Sequence, residues 1–131
     1  MDRTKKSLAY LDTHVVVWLF DSLTKKFPRK TIALLENNEL KISPLVKLEL
    51  QYLLENKKIR HAPSSIVTSL NKSIGLELAE TPYLKVVDIA VNLNWTRDPF
   101  DRLLVAEAIA NNAFFITKDR LIRKNFSLAV W

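Results

Sequence analysis

Cysteine is absent from the 131 residues, and glycine occurs once, at Gly75. Without cysteine the chain has no disulfide, no thiol nucleophile and no thiolate metal site. A glycine-rich phosphate loop needs several residues with positive φ, so nucleotide sites of the P-loop and dinucleotide type are excluded. Two histidines, His14 and His61, are too few for a zinc site of ordinary composition.

Long hydrophobic runs are also missing. No apolar stretch approaches the roughly 20 residues that a membrane helix needs, and no signal peptide is evident. We therefore expect no membrane association and, in a chain without disulfides, a cytoplasmic location. The length fits one domain over residues 1–131, and the hydrophobic fraction of 48% is that of an ordinary globular protein.

Basic residues are in excess. Lysine and arginine total 20 against 14 acids, which gives a formal charge of +6. Such a surface favours an anionic partner such as a nucleic acid, because phosphate binding releases counterions. Solubility alone is the other explanation of the same excess.

Short apolar runs alternate with helical patterns along the chain. Strands are predicted at 8–11, 40–42, 76–78, 113–117 and 127–131, and helices at 28–38, 44–57, 63–73, 82–94, 99–112 and 120–124. Ser43-Pro44, Thr81-Pro82 and Asp98-Pro99 are typical helix starts, with a capping side chain before proline. The alternation predicts an α/β fold, a three-layer sandwich with a central, mainly parallel sheet flanked by helices.

Two aspartates follow predicted strands. Asp12 comes directly after the first strand, and Asp119 follows the strand at 113–117 after one lysine. The carboxyl ends of parallel strands meet at one edge of a sheet, where ligands bind, so we expect both side chains at that edge. Each residue alone is equally explained as a turn or a helix cap.

Glu49 lies within an apolar stripe of the helix predicted from Pro44. At about 100° per residue, one face of that helix carries Leu45, Leu48, Tyr52 and Leu53. A carboxylate on a face directed at the core costs several kcal/mol unless it is paired or binds a cation. The pattern favours a functional role for Glu49, with a salt bridge or a solvent-reaching edge as the alternative.

Two further acids surround the start of the helix at 99–112. Capping accounts for Asp98, which precedes Pro99. Asp101 shares a helical face with the apolar Leu104 and Val105 and should point inward, where either the helix dipole or a metal ion could stabilise it.

Clustered carboxylates predict a divalent cation. Two like charges about 4 Å apart repel by roughly 4 kcal/mol at an effective dielectric constant near 20, so such a cluster needs an offsetting charge. Ligands that are all oxygen point to Mg²⁺ or Mn²⁺.

These residues resemble the PIN-domain family and, within it, the VapC-type toxin ribonucleases. The resemblance is carried by Leu11-Asp12-Thr13, the helix with Glu49, the block from Arg97 to Ala108 and Ile116-Thr117-Lys118-Asp119. It covers nearly the whole chain in order and spacing. One departure is Thr96, since related sequences often have histidine at that position.

The resemblance implies a metal-dependent hydrolase of RNA phosphodiester bonds, the toxin of a type II toxin–antitoxin pair. Its catalytic and metal-binding quartet corresponds to Asp12, Glu49, Asp101 and Asp119, with Asp98 as an additional acid that binds the metal or caps the helix. Thr13 and Thr117 correspond to hydroxyls that orient the carboxylates. The implied cofactor is Mg²⁺ or Mn²⁺, and the implied partners are RNA, a small cognate antitoxin and a second copy in a homodimer.

Basic residues beside the motif acids are candidate RNA contacts. They are Arg97, Arg102, Lys118 and Arg120. For each of them, solvated surface charge or a salt bridge explains the residue equally well. The alternative for the chain as a whole is a non-catalytic RNA- or partner-binding module on the same fold.

Overall fold

The computed structural model describes residues 6–131, which build a parallel sheet covered by helices. Its strands are β1 (Leu8–Leu11), β2 (Glu39–Ile42), β3 (Glu77–Leu78), β4 (Phe114–Ile116) and β5 (Ala129–Val130). Its helices are α1 (Thr13–Phe20), α2 (Arg29–Asn37), α3 (Pro44–Glu55), α4 (Pro63–Ile74), α5 (Tyr83–Ala90), α6 (Pro99–Ala110) and α7 (Arg120–Asn125), with a 3₁₀ turn at Thr24–Lys26.

The strand order is β3-β2-β1-β4-β5, and every neighbouring pair is parallel. The central strand β1 pairs on one side with β2 and on the other with β4, so that Ala9 lies opposite both Leu40 and Phe114. After β1, the chain adds β2 and β3 on one side of it, and then crosses back to add β4 and β5 on the other side. Such a reversal opens a crevice at the carboxyl ends of the strands beside it. The predicted α/β sandwich with a parallel sheet is confirmed.

Helices cover both faces of the sheet. Along β1, Ala9, Tyr10 and Leu11 are each at most 2% exposed, although successive side chains point to opposite faces. Strands buried on both faces are typical of parallel sheets. Packing on both faces therefore holds β1 and β4 in place, and this also fixes the positions of the residues that directly follow these strands.

The predicted helix starts at Ser43 and Asp98 are confirmed. The Ser43 hydroxyl accepts a hydrogen bond from the Leu45 N–H (3.2 Å), and Asp98 accepts one from the Phe100 N–H (2.8 Å). Gly75 ends α4 in the left-handed region at φ 73°.

Helix α1 was not predicted from the sequence. Its run of valines, Val15 to Val17, favours a strand, because branching at Cβ restricts the side chain in a helix. In the structure Val15 and Val16 are fully buried, and the Asp12 side chain caps the helix by accepting the Thr13 N–H (2.8 Å). Burial against the sheet therefore outweighs the local preference.

The prediction that Thr81 caps a helix at 82–94 is wrong. Helix α5 spans Tyr83–Ala90, and no side-chain hydrogen bond caps its start. The Thr81 hydroxyl instead donates to the buried carboxylate of Glu107 (3.0 Å). A buried carboxylate needs a donor more than an exposed helix end does, since water can satisfy the latter.

The predicted core face of α3 is also wrong. The side chains that α3 buries are Val46 and Leu50, whereas Leu48 is 44% and Tyr52 is 47% exposed. Glu49 and Tyr52 of the predicted stripe line a cavity, whereas Leu45 and Leu53 pack partly against the core. Amphipathic spacing gives the faces of a helix but does not say which face the sheet covers.

None of the helices in residues 6–131 combines the length and the apolar character needed to cross a bilayer.

We expect Gly75→Ala to destabilise the protein by about 1 kcal/mol, because alanine is strained at positive φ. An added Cβ would meet no atom within 4 Å, so the cost is one of backbone conformation and not of a clash. Urea unfolding measures the change. The control is Ser73→Ala, at an exposed position of the same helix. Equal stability of the two variants would contradict the argument.

Candidate active site

Asp12 and Asp119 lie at the carboxyl ends of the adjacent strands β1 and β4. A single hydroxyl joins them: Thr117 donates to Asp12 Oδ2 (2.7 Å) and accepts the backbone N–H of Asp119 (3.0 Å). Thr117 is fully buried, and Asp12 is 9% exposed. Asp119 also caps α7 by accepting the Ile122 N–H (3.0 Å). Both carboxylates therefore lie at the same edge of the sheet, as the sequence predicted.

Glu49 reaches the same edge from α3. The Thr13 hydroxyl donates to Glu49 Oε1 (2.8 Å), and Thr13 directly follows Asp12. Burial raises the pKa of Glu49 above its ordinary value, and the neighbouring carboxylates of Asp12 and Asp98 add to the rise. The hydrogen bond from Thr13 opposes this rise. Glu49 is thus a half-buried acid held beside Asp12 at an electrostatic cost.

Asp101 is the most perturbed of the acids. Its pKa rises from an ordinary value of 3.8 to about 7. Burial is the largest cause, followed by repulsion from Asp98, Asp12, Asp119 and Glu49, in that order. Since repulsion falls off with distance, all five acids lie around one place.

Asp98 has a structural task at the start of α6. Besides the Phe100 N–H, its Oδ1 accepts the N–H of Asp101 at a longer 3.3 Å. It is exposed, so these bonds account for its position as the sequence predicted.

The acids border a cavity of about 500 Å³. Asp12, Thr13 and Glu49 line it together with an apolar wall that includes Trp18, Tyr52 and Phe100. Asp101 and Asp119 lie beside this cavity and not in its lining. Tyr52 and Phe100 pack edge to face, with ring centroids 6.0 Å apart. The site is therefore an acidic edge opening into an aromatic recess.

His14 is a site residue that the sequence did not single out. Its Nε2 accepts the Lys118 N–H (3.1 Å), and its Nδ1 lies 3.7 Å from Asp12 Oδ2. Burial lowers the pKa of His14 despite the opposing effect of Asp12, so the ring is neutral at pH 7. His14 lies in the first turn of α1, directly after Asp12 and Thr13. The valine run of α1 is typical of a strand, so the helix, and with it the position of His14, was not predicted.

The four basic candidates differ in their surroundings. Arg102 is half-buried, and its Nε donates to the Thr96 carbonyl (2.8 Å), which braces the loop before α6. Arg97, Lys118 and Arg120 are exposed. Arg97 donates to the Asn94 carbonyl (3.2 Å), and Lys118 Nζ lies 5.6 Å from the Trp18 ring centroid.

In residues 6–131 no three of the His, Asp and Glu side chains stand close enough to hold a metal ion together. The chemistry of the acid group nevertheless fits a hard divalent cation, because its donors are oxygens with no balancing charge. Across the same residues, the one ion pair within 4.0 Å is that of Asp12 with His14, whose ring is neutral. The acids therefore have no positively charged partner among these residues, and they do not form a complete metal-coordination site.

We expect Asp101→Asn to stabilise the metal-free protein at pH 8 by about 1–2 kcal/mol, after allowance for solvent screening of a half-buried group. The raised pKa means that folded Asp101 keeps a proton that the unfolded chain releases above pH 3.8. Wild-type stability therefore falls as the pH rises from about 4 to about 7, and the variant lacks this loss.

Urea unfolding in EDTA between pH 4 and 9 measures the difference. Asp88→Asn, at an exposed position on α5, is the matched control. A gap between wild type and Asp101→Asn that does not change with pH would contradict the repulsion argument.

The PIN domain family profile matches residues 9–125. Ribonuclease VapC22 of Mycobacterium tuberculosis (strain ATCC 25618 / H37Rv) is 26% identical over 120 residues, which cover 88% of this chain and 89% of the relative. The fold is similar to a solved chain of VapBC2 from Rickettsia felis bound to a DNA fragment from their promoter. That match has a TM-score of 0.66 and 22% identity, and it covers 90% of this chain and 92% of the other. The chain therefore belongs to the PIN domain family.

Proposed function

We propose that this protein is a metal-dependent ribonuclease that hydrolyses RNA phosphodiester bonds, and the toxin of a type II toxin–antitoxin pair. The observation that carries the proposal is the convergence of carboxylates at one edge of the sheet, where Thr117 joins Asp12 to Asp119 and Thr13 holds Glu49. The raised pKa of Asp101 supports it. Perturbed acids beside a cavity are characteristic of catalytic sites. The ribonuclease name of the Mycobacterium relative supports the same reaction.

Asp12, Glu49, Asp101 and Asp119 would hold the cation, with Asp98 as an outer acid. Mg²⁺ or Mn²⁺ suits an all-oxygen donor set and, when bound, would activate water and offset charge on the attacked phosphate.

Thr13 and Thr117 act as positioning residues in this scheme. Each donates a hydroxyl hydrogen bond to a carboxylate, Thr13 to Glu49 (2.8 Å) and Thr117 to Asp12 (2.7 Å). These bonds fix the direction in which each acid points, and such outer partners of a metal ligand are worth about 10–100-fold in activity.

RNA would contact the basic residues that flank the acids. Arg97, Lys118 and Arg120 are exposed and available to phosphates, whereas Arg102 is engaged with the Thr96 carbonyl and acts on the substrate through the loop it braces. The formal charge of +6 would draw an RNA to this surface.

The proposed protein partners are a small antitoxin and a second copy of the chain. The structural neighbour comes from VapBC2, which supports an antitoxin. Helix α5 and its C-terminal end leave Tyr83 (72%), Leu84 (72%) and Val91 (64%) exposed, and such a patch suits a protein interface. We further propose that residues 1–131 act as one nuclease domain in the cytoplasm.

A non-catalytic RNA- or partner-binding module is the second candidate. It is favoured by one observation, that no three acids among residues 6–131 are close enough to form a finished metal cage. The cleavage experiment below decides between the two candidates.

Asp12→Asn and Asp101→Asn are each expected to reduce metal-dependent RNA cleavage to background while leaving the fold intact, because each removes a charged metal ligand. Cleavage of labelled RNA with Mg²⁺ or Mn²⁺, compared with circular dichroism spectra, measures both effects. Asp88→Asn should cleave like the wild type. Undiminished cleavage by both site variants, or none by the wild type, would rule out the proposal.

Mn²⁺ is expected to raise the Tm of the wild type and to raise that of Asp12→Asn less, because the ion offsets the repulsion among the acids. Differential scanning fluorimetry over a series of Mn²⁺ concentrations gives both shifts. Identical shifts would be evidence against a metal site that includes Asp12.

A further inference from the structure

The acid-lined cavity adjoins a second depression of about 240 Å³. Val17, Lys58 and Ile59 line both, and we refer to the two neighbouring cavities together as the groove. The first part carries Asp12 and Glu49. The second part lies where the loop between α3 and α4 meets the end of α1.

The second depression has an apolar floor that includes Phe20 and Ile66, and most of its polar lining is basic. Lys58, Arg60 and His61 come from one loop, and Asp21 at the end of α1 is the acid among the lining residues. We call residues 57–61 (Lys-Lys-Ile-Arg-His) the basic loop. Its three lysine and arginine side chains are exposed, and across residues 6–131 none of them lies within 4.0 Å of a carboxylate. The positive charge in this part of the groove is therefore free for a ligand.

The basic loop is held in place by its backbone. The Lys57 N–H donates to the Leu54 carbonyl (3.0 Å), and the Lys58 N–H donates to the Leu53 carbonyl (2.8 Å), so the loop folds back on the last turn of α3. Ile59 packs against the core, and the His61 ring lies 4.9 Å from that of Phe20. A loop fixed in this way presents its charges without a large ordering cost on binding.

The groove thus has an acidic end and a basic end. Free phosphate would need the basic end alone, and a cation the acidic end alone. A chain of phosphodiesters can use both, because the proposed cation would lie between the acids and one phosphate while neighbouring phosphates contact the basic loop. An exposed, unpaired basic loop suits a phosphate backbone, since Lys and Arg contacts to phosphates dominate affinity for nucleic acids.

We propose that Lys58 and Arg60 bind the RNA phosphate backbone next to the bond that is cleaved, so that the basic loop sets the path of the strand through the groove. This inference rests on the proposed ribonuclease function. It adds a phosphate-binding site apart from the arginines and the lysine that flank the acids.

The test is the salt dependence of binding between a fluorescent single-stranded 12-nucleotide RNA and the protein, with EDTA present so that no cleavage occurs. The variant is Lys58→Ala/Arg60→Ala. The control is Lys30→Ala/Lys85→Ala, which removes the same charge at exposed positions of α2 and α5 outside the groove.

For two lost phosphate contacts, the slope of log K against log salt should fall by about 1.4, which corresponds to about a sevenfold smaller loss of affinity between 50 and 200 mM salt. The control should keep the wild-type slope. Lys58→Arg/Arg60→Lys should also keep it, because both charges remain.

Equal slopes for the basic-loop variant and the control would overturn the inference. So would a result in which an oligoglutamate peptide depends on the basic loop for binding while RNA does not, because the groove would then take an acidic peptide. Competition by inorganic phosphate as strong as that by RNA, at equal phosphate concentration, would overturn the backbone assignment. Loop-dependent RNA binding by a wild type that cleaves nothing would reject the ribonuclease function and not the phosphate site.

Discussion

Repulsion among carboxylates at one edge of the sheet is the constraint around which this molecule is arranged. Asp12, Glu49 and Asp119 would separate if they were free, but each is held by hydrogen bonds from the chain. Thr117 binds Asp12, Thr13 binds Glu49, and the start of α7 binds Asp119. The starts of α1 and α7 also donate backbone N–H groups to Asp12 and Asp119, which lowers the free-energy cost of burying these charges. The remaining cost is visible in Asp101, whose pKa rises to about 7.

The core makes this arrangement possible. Strands β1 and β4 are buried on both faces, so the residues that follow them cannot drift apart when their charges repel. The reversal of strand order beside β1 places the crevice at these two strand ends. A loop-borne acid cluster would relax by moving outward, whereas this one keeps its charges close together. Under the proposed function, that repulsion would favour metal binding.

Charge in the described chain is segregated along the groove and not neutralised in pairs. The acids collect at the sheet edge, and lysines and arginines remain unpaired, including those of the basic loop. A polyanion with a bound cation is complementary to both ends. Exposed apolar residues on α5 lie on a different element, so a protein partner and an RNA strand can use separate surfaces.

Much of the fold could be predicted from local pattern. Alternating apolar runs predicted the parallel sheet, and Asp98-Pro99 predicted the start of α6, because period and capping are properties of neighbouring residues. Helix α1 was missed, and the length of α5 was mispredicted. The valine run of α1 is helical because the sheet buries it, and Thr81 leaves its capping role because Glu107 lies beside it in space.

For the candidate site, the sequence by itself determined which residues are the candidates for the chemistry: acids after two strands, an acid on α3 and the acids at the start of α6. The tertiary structure decided how they meet. It placed Glu49 of α3 at the lining of a cavity, brought His14 beside Asp12, and set the basic loop next to the acid cavity. Strand ends and helix caps are encoded by adjacent residues, whereas burial, repulsion and the course of a groove depend on segments far apart in the chain. Only packing brings those segments together.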